Sequence, residues 1–356
     1  MFEAMARARD HINVHSYILD DGEAGQKLAA LLADKVREGV KAHVMYDSVG
    51  SILTSKSFFE RLREAGVAVC EFNPVTRRPD KVNNRNHRKI TVVDGRIAFT
   101  GGINISETYS SSSRRARTAL DQEQAKRNGW RDTHVAVEGP VVAQFQRLFL
   151  DDWALQDCGP WREARFFPPP EARGTMEARV VRADPGREAS ETYRELLAAV
   201  ARAKSRVWLT FGYFVPDPQT KQVLVEAARR GVDVQLVLPG FSDFWAPVYA
   251  GRSHYEELLD AGVRLYEWHD ALMHAKTAVI DGVWSSVGST NLDWRSFVHN
   301  YEADLIVHDA GFARDLERRF RLDVAAATPV DPDQFRRRPV GERLKEWLAR
   351  QWEYLL

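Results

Sequence analysis

Apolar residues along the chain fall into two alternating forms. There are short β-branched runs, and there are longer stretches with apolar positions three or four apart that stop at a glycine. In the C-terminal half, residues 193–204 have the helical spacing, 207–213 read as a strand, and 220–230 form a helix stopped by Gly231. A strand over 234–238 follows, then a helix over 255–261 stopped by Gly262, then a strand over 263–267. The N-terminal half runs the same way, with helices at 28–38 and 57–65 and strands at 42–46 and 67–71. Strands separated by helices of this length predict βαβ units, and so an α/β fold whose sheets are mostly parallel and covered by helices. One difference separates the halves. A strand at 178–182 precedes the first helix of the second half, whereas the first half opens on a helix over 2–9. The first sheet is therefore expected to be one strand short, with an exposed edge.

The likeness of the halves extends to residue identity. His87-Arg-Lys-Ile-Thr-Val-Val-Asp94-Gly, with Gly101-Gly-Ile-Asn104 after it, has a twin in His274-Ala-Lys-Thr-Ala-Val-Ile-Asp281-Gly, followed by Gly288-Ser-Thr-Asn291. In both, Lys lies two residues after His, Asp seven after and Asn seventeen after. Matching strings flank them: Gly39-Val-Lys-Ala with Gly231-Val-Asp-Val, Ala65-Gly-Val with Ala261-Gly-Val, and Asp132-Thr-His with Glu302-Ala-Asp. A period this long marks a duplicated domain rather than a solenoid. The expected organisation is a first repeat over 1–158, a linker over 159–174 with three successive prolines, a second repeat over 175–325 and a tail over 326–356. A polar segment over 110–128, with Arg114, Arg115, Arg117, Lys126 and Arg127, lies outside the repeat and reads as a mobile excursion.

Composition narrows the function classes. Fifty Lys+Arg balance fifty Asp+Glu, which argues against a partner held by bulk charge such as nucleic acid. Cys70 and Cys158 are the two cysteines. They are too few for a disulfide scaffold or a Cys-rich zinc site and are read as reduced thiols of a cytosolic protein. No apolar run approaches the length of a membrane span, and no signal peptide is visible at the start. Walker, GxGxxG, GxSxG and HExxH patterns are absent.

The repeated motif carries the chemistry. His87 and Lys89 are two apart on a strand and face the same side. Asp94-Gly95 signals a hairpin turn, and the returning strand brings Asn104 back toward the same face. The second copy does the same with His274, Lys276, Asp281 and Asn291. Two imidazoles, two ammoniums and two amides converging by pseudo-two-fold symmetry suit a phosphodiester. One histidine attacks phosphorus, the other protonates the leaving oxygen, and the cations stabilise developing charge without a metal or other cofactor.

On these residues the chain resembles the phospholipase D superfamily, and within it the bacterial cardiolipin synthases. The strings Asn86-His-Arg-Lys, Trp130-Arg-Asp-Thr-His, Gly288-Ser-Thr-Asn-Leu-Asp-Trp-Arg-Ser-Phe and Asn300-Tyr-Glu302 carry the likeness, which spans roughly residues 2–325. The resemblance implies a phosphatidyltransferase working through a phosphatidyl-histidine, with His87 as nucleophile and His274 as general acid. A phospholipase D-type hydrolase or a phosphodiesterase or nuclease of the same superfamily is the alternative. It further implies that Lys89, Lys276, Asn104 and Asn291 bind the phosphoryl oxygens, with Ser289 either beside them on the phosphate or in support behind them. Asp94 and Asp281 complete the motif and are expected to hold its turn. Asp132 and Glu302 orient the imidazoles, with the pairing left open. The implied partners are phospholipid, phosphatidylglycerol foremost, and an anionic membrane surface at the inner face of the cell membrane. Two segments suit such a surface: an amphipathic tail helix over 342–356 and an aromatic loop over 240–249 with Phe241, Phe244 and Trp245. The basic run Arg336–Arg338 reads as a solvated part of the tail.

Overall fold

The computed structural model describes residues 1–107, 129–186, 190–242 and 244–355. The polar segment 110–128 lies outside the described residues. The first repeat runs α1 (Phe2–Ala6), β1 (His11–Ser16), α2 (Glu23–Arg37), β2 (Lys41–Asp47), α3 (Lys56–Glu64) and β3 (Ala68–Phe72). It continues with the hairpin β4 (Ile90–Val93) and β5 (Ile97–Gly101), then β6 (Trp130–Arg131), β7 (His134–Glu138) and α4 (Val142–Leu155). The second runs β8 (Glu177–Ala183), α5 (Glu191–Arg202), β9 (Arg206–Phe211), α6 (Pro218–Arg229), β10 (Asp233–Pro239), α7 (Trp245–Arg252), α8 (Tyr255–Asp260) and β11 (Arg264–Trp268). After β12 (Leu272–Met273) come the hairpin β13 (Lys276–Ile280) and β14 (Trp284–Gly288), then β15 (Glu302–His308) and α9 (Ala310–Ala326). The tail adds β16 (Thr328–Pro329), α10 (Pro332–Arg336) and α11 (Val340–Arg350).

The α/β class and the duplication hold, but the expectation of mostly parallel sheets needs correction. In the order β3-β2-β1-β4-β5-β7, only the βαβ half β1, β2, β3 is parallel. The pairs β1–β4, β4–β5 and β5–β7 are antiparallel. The second sheet, β16-β11-β10-β9-β13-β14-β15-β8, divides the same way. The cause is the hairpin itself: a tight Asp-Gly turn returns the chain antiparallel, and the motif strands occupy the middle of each sheet. As expected, the second sheet has the extra strand β8 on β15, and among the described residues nothing pairs beyond β7.

Helices α1, α2 and α3 bury Met5, Leu28, Leu32, Phe58 and Leu62 against β1 and β2. In the second repeat α5, α6 and α8 cover β9 and β10 through Leu196, Leu224 and Leu258. One further core joins the repeats, with Ile90, Val92 and Ala98 of the first hairpin meeting Phe145 of α4 and Ala303, Leu305 and Val307 of β15. This shared core fixes one motif relative to the other.

Three other expectations change. Cys70 and Cys158 are not free thiols; they form a disulfide with a Cα–Cα distance of 5.5 Å, because β3 and the end of α4 pack side by side. The aromatic loop is largely the helix α7, and Phe241 is buried against Leu272 and Trp130, leaving Phe244 and Trp245 half exposed. The basic run is exposed at Arg336 and Arg337, but Arg338 is half-buried in ion pairs with Glu346 and Glu256, and β16 ties the tail to β11.

Candidate active site

Each motif hairpin has two functional ends. At the turn, Asp94 and Asp281 adopt φ of +54° and +52°, each followed by a glycine that is also at positive φ. The Asp94 carboxylate accepts the backbone N–H groups of Arg9, Asp10 and His11 at 2.8–3.0 Å. Asp281 accepts those of Lys204, Ser205 and Arg206 over the same range. Each thus clamps the start of the adjacent strand, β1 or β9. Neither lines the cavity at the other end; both carboxylates hold their hairpin turn.

At the opposite end the two imidazoles face each other, ring centroids 6.4 Å apart, across a cavity of about 400 Å³. Each is held by the other repeat. His87 donates its backbone N–H to the Tyr301 carbonyl at 2.9 Å, and its Nδ1 lies 3.0 Å from both Glu302 oxygens. His274 donates its backbone N–H to the Arg131 carbonyl at 2.8 Å, and its Nδ1 lies 2.7 Å from Asp132 Oδ2. This settles the pairing that sequence left open. With Nδ1 on a carboxylate, Nε2 is the nitrogen each ring brings to the cavity.

Lys89 and Lys276 sit two residues along the same strands, and each ammonium donates to the carbonyl of its own histidine. Asn104 and Asn291 line the cavity. Their Oδ1 atoms accept the N–H of Ile18 at 3.1 Å and of Tyr213 at 3.3 Å, which ties both amides to the cavity wall. Ser289 takes the supporting place of the two left open for it. Its hydroxyl is engaged with the Ala303 peptide and its carbonyl accepts from His87 Nδ1 at 3.1 Å, so it braces the ring rather than facing the cavity. The first repeat has Gly102 there, and a Cβ would lie 2.2 Å from Asp132 Oδ1. The shorter carboxylate occupies the space the glycine leaves.

Burial dominates the electrostatics. It pushes Glu302 up to about 7 and Asp132 up to about 6, and depresses Lys276 to about 8 and Lys89 well below its ordinary value. The His87 imidazole is held well below the usual range, first by burial and then by the Lys89 and Lys276 ammoniums. An anion held close to the two ammoniums would favour their ionised form. Among the described residues, no group of three or more His, Cys, Asp or Glu is placed to hold a metal ion.

The cavity also takes residues that the motif reading passed over: Tyr17, Trp130, Asp293 and Arg295. The Tyr17 ring lies edge-on to His87 at 5.1 Å and under the Lys89 ammonium, and Trp130 stands 4.6 Å from His274. Trp130, Asp293 and Arg295 sat within the strings carrying the resemblance. Tyr17 had no signal, because the strand before it went unread.

The profile of the family described as "Cardiolipin synthase, PLD-like domain" matches residues 1–127 and 196–324. Cardiolipin synthase 1 of Bacillus anthracis is 32% identical, over 98% of this chain and 69% of that protein. Cardiolipin synthase of Geobacillus kaustophilus is 34% identical over 98% and 68%. In fold, the chain is similar to the crystal structure of phosphatidylserine synthase from Haemophilus influenzae, with a TM-score of 0.67, 13% identity, and coverage of 100% and 92%. With the family profile matched in both halves, and relatives about a third identical along nearly the whole chain, the protein belongs to the cardiolipin synthase family of phospholipase D-like proteins.

Proposed function

We propose that this chain is a cardiolipin synthase-like phosphatidyltransferase that moves a phosphatidyl group from phosphatidylglycerol to a second phospholipid or alcohol. The observation that carries the reading is the facing pair of imidazoles, each with Nδ1 on a carboxylate of the opposite repeat. His87 is assigned as the nucleophile by the resemblance, and burial with the nearby Lys89 and Lys276 is in keeping with the neutral ring that attack requires. Its Nε2 forms a bond to phosphorus while the phosphorus–oxygen bond to glycerol breaks, and His274 gives its proton to the departing oxygen. In the second step His274 takes the proton from the acceptor hydroxyl. That oxygen attacks phosphorus, and the bond to His87 breaks. Lys89, Lys276, Asn104 and Asn291 donate to the phosphoryl oxygens and stabilise the charge that builds there.

Water in place of the acceptor turns the same site into a hydrolase. Incubation with phosphatidylglycerol vesicles followed by lipid mass spectrometry separates the two. Cardiolipin with free glycerol is the expected product, and phosphatidic acid alone would overturn the transferase reading. Peripheral attachment at the inner face of the cell membrane belongs to the same proposal, and the Cys70–Cys158 disulfide stands against it, since structural disulfides persist in oxidising compartments. Alkylation in cells decides: cysteines trapped as thiols support the inner face, and recovery of the intact disulfide puts the chain on the other side.

A further inference from the structure

Helix α11 is assembled inside out. Its buried residues are Glu346 and Ala349. The Glu346 carboxylate is gripped by the Arg338 guanidinium at 2.7–3.0 Å, with Arg252 at 3.8 Å, and Ala349 packs against Val215 and Ala250. Leu344, Trp347 and Leu348 stand outward, about half exposed, with Trp352 and Tyr354 just past the helix. An amphipathic helix on a water-facing surface does the reverse, and a contiguous apolar patch of this kind marks an interaction site.

This face borders the cavity mouth. Helix α11 packs along α7. Ahead of α7 stands Phe244, which lines the cavity, and Trp245 beside it is half exposed. The Tyr354 ring lies 5.5 Å from Trp294, between the cavity residues Asp293 and Arg295.

The first repeat has a matching feature. Its loop from β2 to α3 corresponds to the segment from β10 to α8, which contains α7, and it presents Ile52 at 70% and Leu53 at 97% exposure. That loop is pinned to the cavity wall. The Ser51 hydroxyl donates to the Tyr17 carbonyl at 3.1 Å and accepts the Leu19 N–H at 3.0 Å, and Tyr17 lines the cavity.

We propose that this two-sided rim, Ile52 and Leu53 on one repeat and Trp245 with the outward face of α11 on the other, seats in the interfacial layer of a phospholipid bilayer. The inference rests on the phosphatidyltransferase reading and names the surface that reading needs. A cavity of about 400 Å³ lies toward the small end of sites for drug-sized ligands. It accommodates headgroups and phosphates but not the acyl chains of two diacyl lipids. The chains must stay outside the mouth, where the exposed side chains are apolar. A second copy of the chain is a poorer occupant, since a protein covering both flanks would close the mouth between them.

Flotation with vesicles of phosphatidylglycerol and phosphatidylethanolamine tests the surface. The paired variants Ile52→Ser with Leu53→Ser, and Trp347→Ser with Leu348→Ser, should each weaken vesicle binding about tenfold. Turnover of vesicles should fall with binding, whereas turnover of monomeric dihexanoyl phosphatidylglycerol should stay at the wild-type level. Wild-type protein that does not float, or variants that float like it, overturn the proposal. So does a dimer broken by the same substitutions in a protein that ignores vesicles. Trp347→Phe keeps the apolar face and guards against misfolding: it should float normally while losing part of the quenching of tryptophan emission by brominated-lipid vesicles. Unchanged quenching counts against the surface. A wild-type chain that floats through this rim yet turns over neither substrate sinks the transferase reading and leaves the surface standing.

Discussion

The two half-sites present the same imidazole, ammonium and amide, yet they rest on different foundations. Behind His87, the neighbouring Asn86 and Arg88 enter a buried polar cluster. The Asn86 amide donates to Asp152 at 3.1 Å, and Arg88 is ion-paired with Asp152 and Asp184 while donating to the Glu302 carbonyl at 3.1 Å. Behind His274, Met273 and Ala275 pack among Trp208, Val237 and Phe320. Residues one place along an extended chain face the other way, so the cavity-facing positions stayed alike while the backing positions diverged. A symmetric reaction centre would hold two equivalent histidines, but the chemistry needs one neutral and one charged. The unequal backing is where that inequality can originate.

The largest expected effect comes from the histidines themselves. His87→Ala and His274→Ala should each lower turnover by about 10³-fold or more, because both rings act on the same bond. Equal losses would not tell them apart, so the comparison is broken by trapping. A rapid acid quench with a short-chain phosphatidyl substrate, followed by peptide mass spectrometry, should find the adduct on the His87 peptide. An adduct on the His274 peptide reverses the roles.

Next in size is the backing. Arg88→Met leaves Asp152 buried without its cation, and the loss of a partner in such a pair costs about 3–5 kcal/mol. Met273→Leu, the volume-conserving change behind the other histidine, should cost less than about 1.5 kcal/mol. Denaturant unfolding of the two variants measures the difference. Similar losses would mean that the polar cluster adds nothing the apolar core does not.

The carboxylates sharpen the same contrast. Glu302→Gln and Asp132→Asn should each lower kcat by about 10²-fold with little change in KM, since each acts through the imidazole of the opposite repeat. A substrate with a nitrophenol leaving group needs no proton from His274 in the first step. Burst kinetics of nitrophenol release with it should rescue Asp132→Asn and leave Glu302→Gln slow. Equal rescue of both would remove the division of roles.

Most of the βαβ half was legible because its strands and helices follow simple periods and stop at glycines. Strand β1 was not. His11, Asn13, His15 and Ser16 interrupt its apolar pattern, and all four are buried. His11 and Asn13 are tolerated because they satisfy partners elsewhere in the chain, and Ser16 donates to the Ile18 carbonyl, whereas neither ring nitrogen of His15 has a hydrogen-bond partner among the described residues. His11 and Asn13 share the Gln146 side-chain oxygen, and Asn13 also meets His43. Such a strand can be recognised only once its neighbours are known. The site was legible as a set of residues, since the motif spacing is local. Its pairing was not, since the carboxylate on His87 comes from 215 residues away. The inverted tail helix was half legible: periodicity revealed its apolar face, but only packing decides which face turns inward.

The smallest effect concerns a position where the repeats differ outright. Asp293 lies two residues after Asn291, and the first repeat has Ser106 in the equivalent place. The Asp293 carboxyl is buried at the cavity wall, accepts the Ser296 N–H at 2.7 Å, and is pushed up to about 7 by burial. Its folded pKa is raised, so the folded protein holds a proton that the unfolded chain releases near the ordinary value. The stabilisation is complete below about 4 and is lost as pH rises through about 7. Asn keeps the acceptor and never ionises. Asp293→Asn should therefore melt close to the wild type at pH 4 and a few degrees above it at pH 8. A melting difference that stays flat from pH 4 to 8 would mean that this carboxyl does not titrate in that window. Ionisation would also set a negative charge beside the phosphate site, so KM should rise above pH 7 in the wild type more than in the variant. The first repeat has a serine at the equivalent position, so this carboxyl's pH dependence belongs to the second half-site.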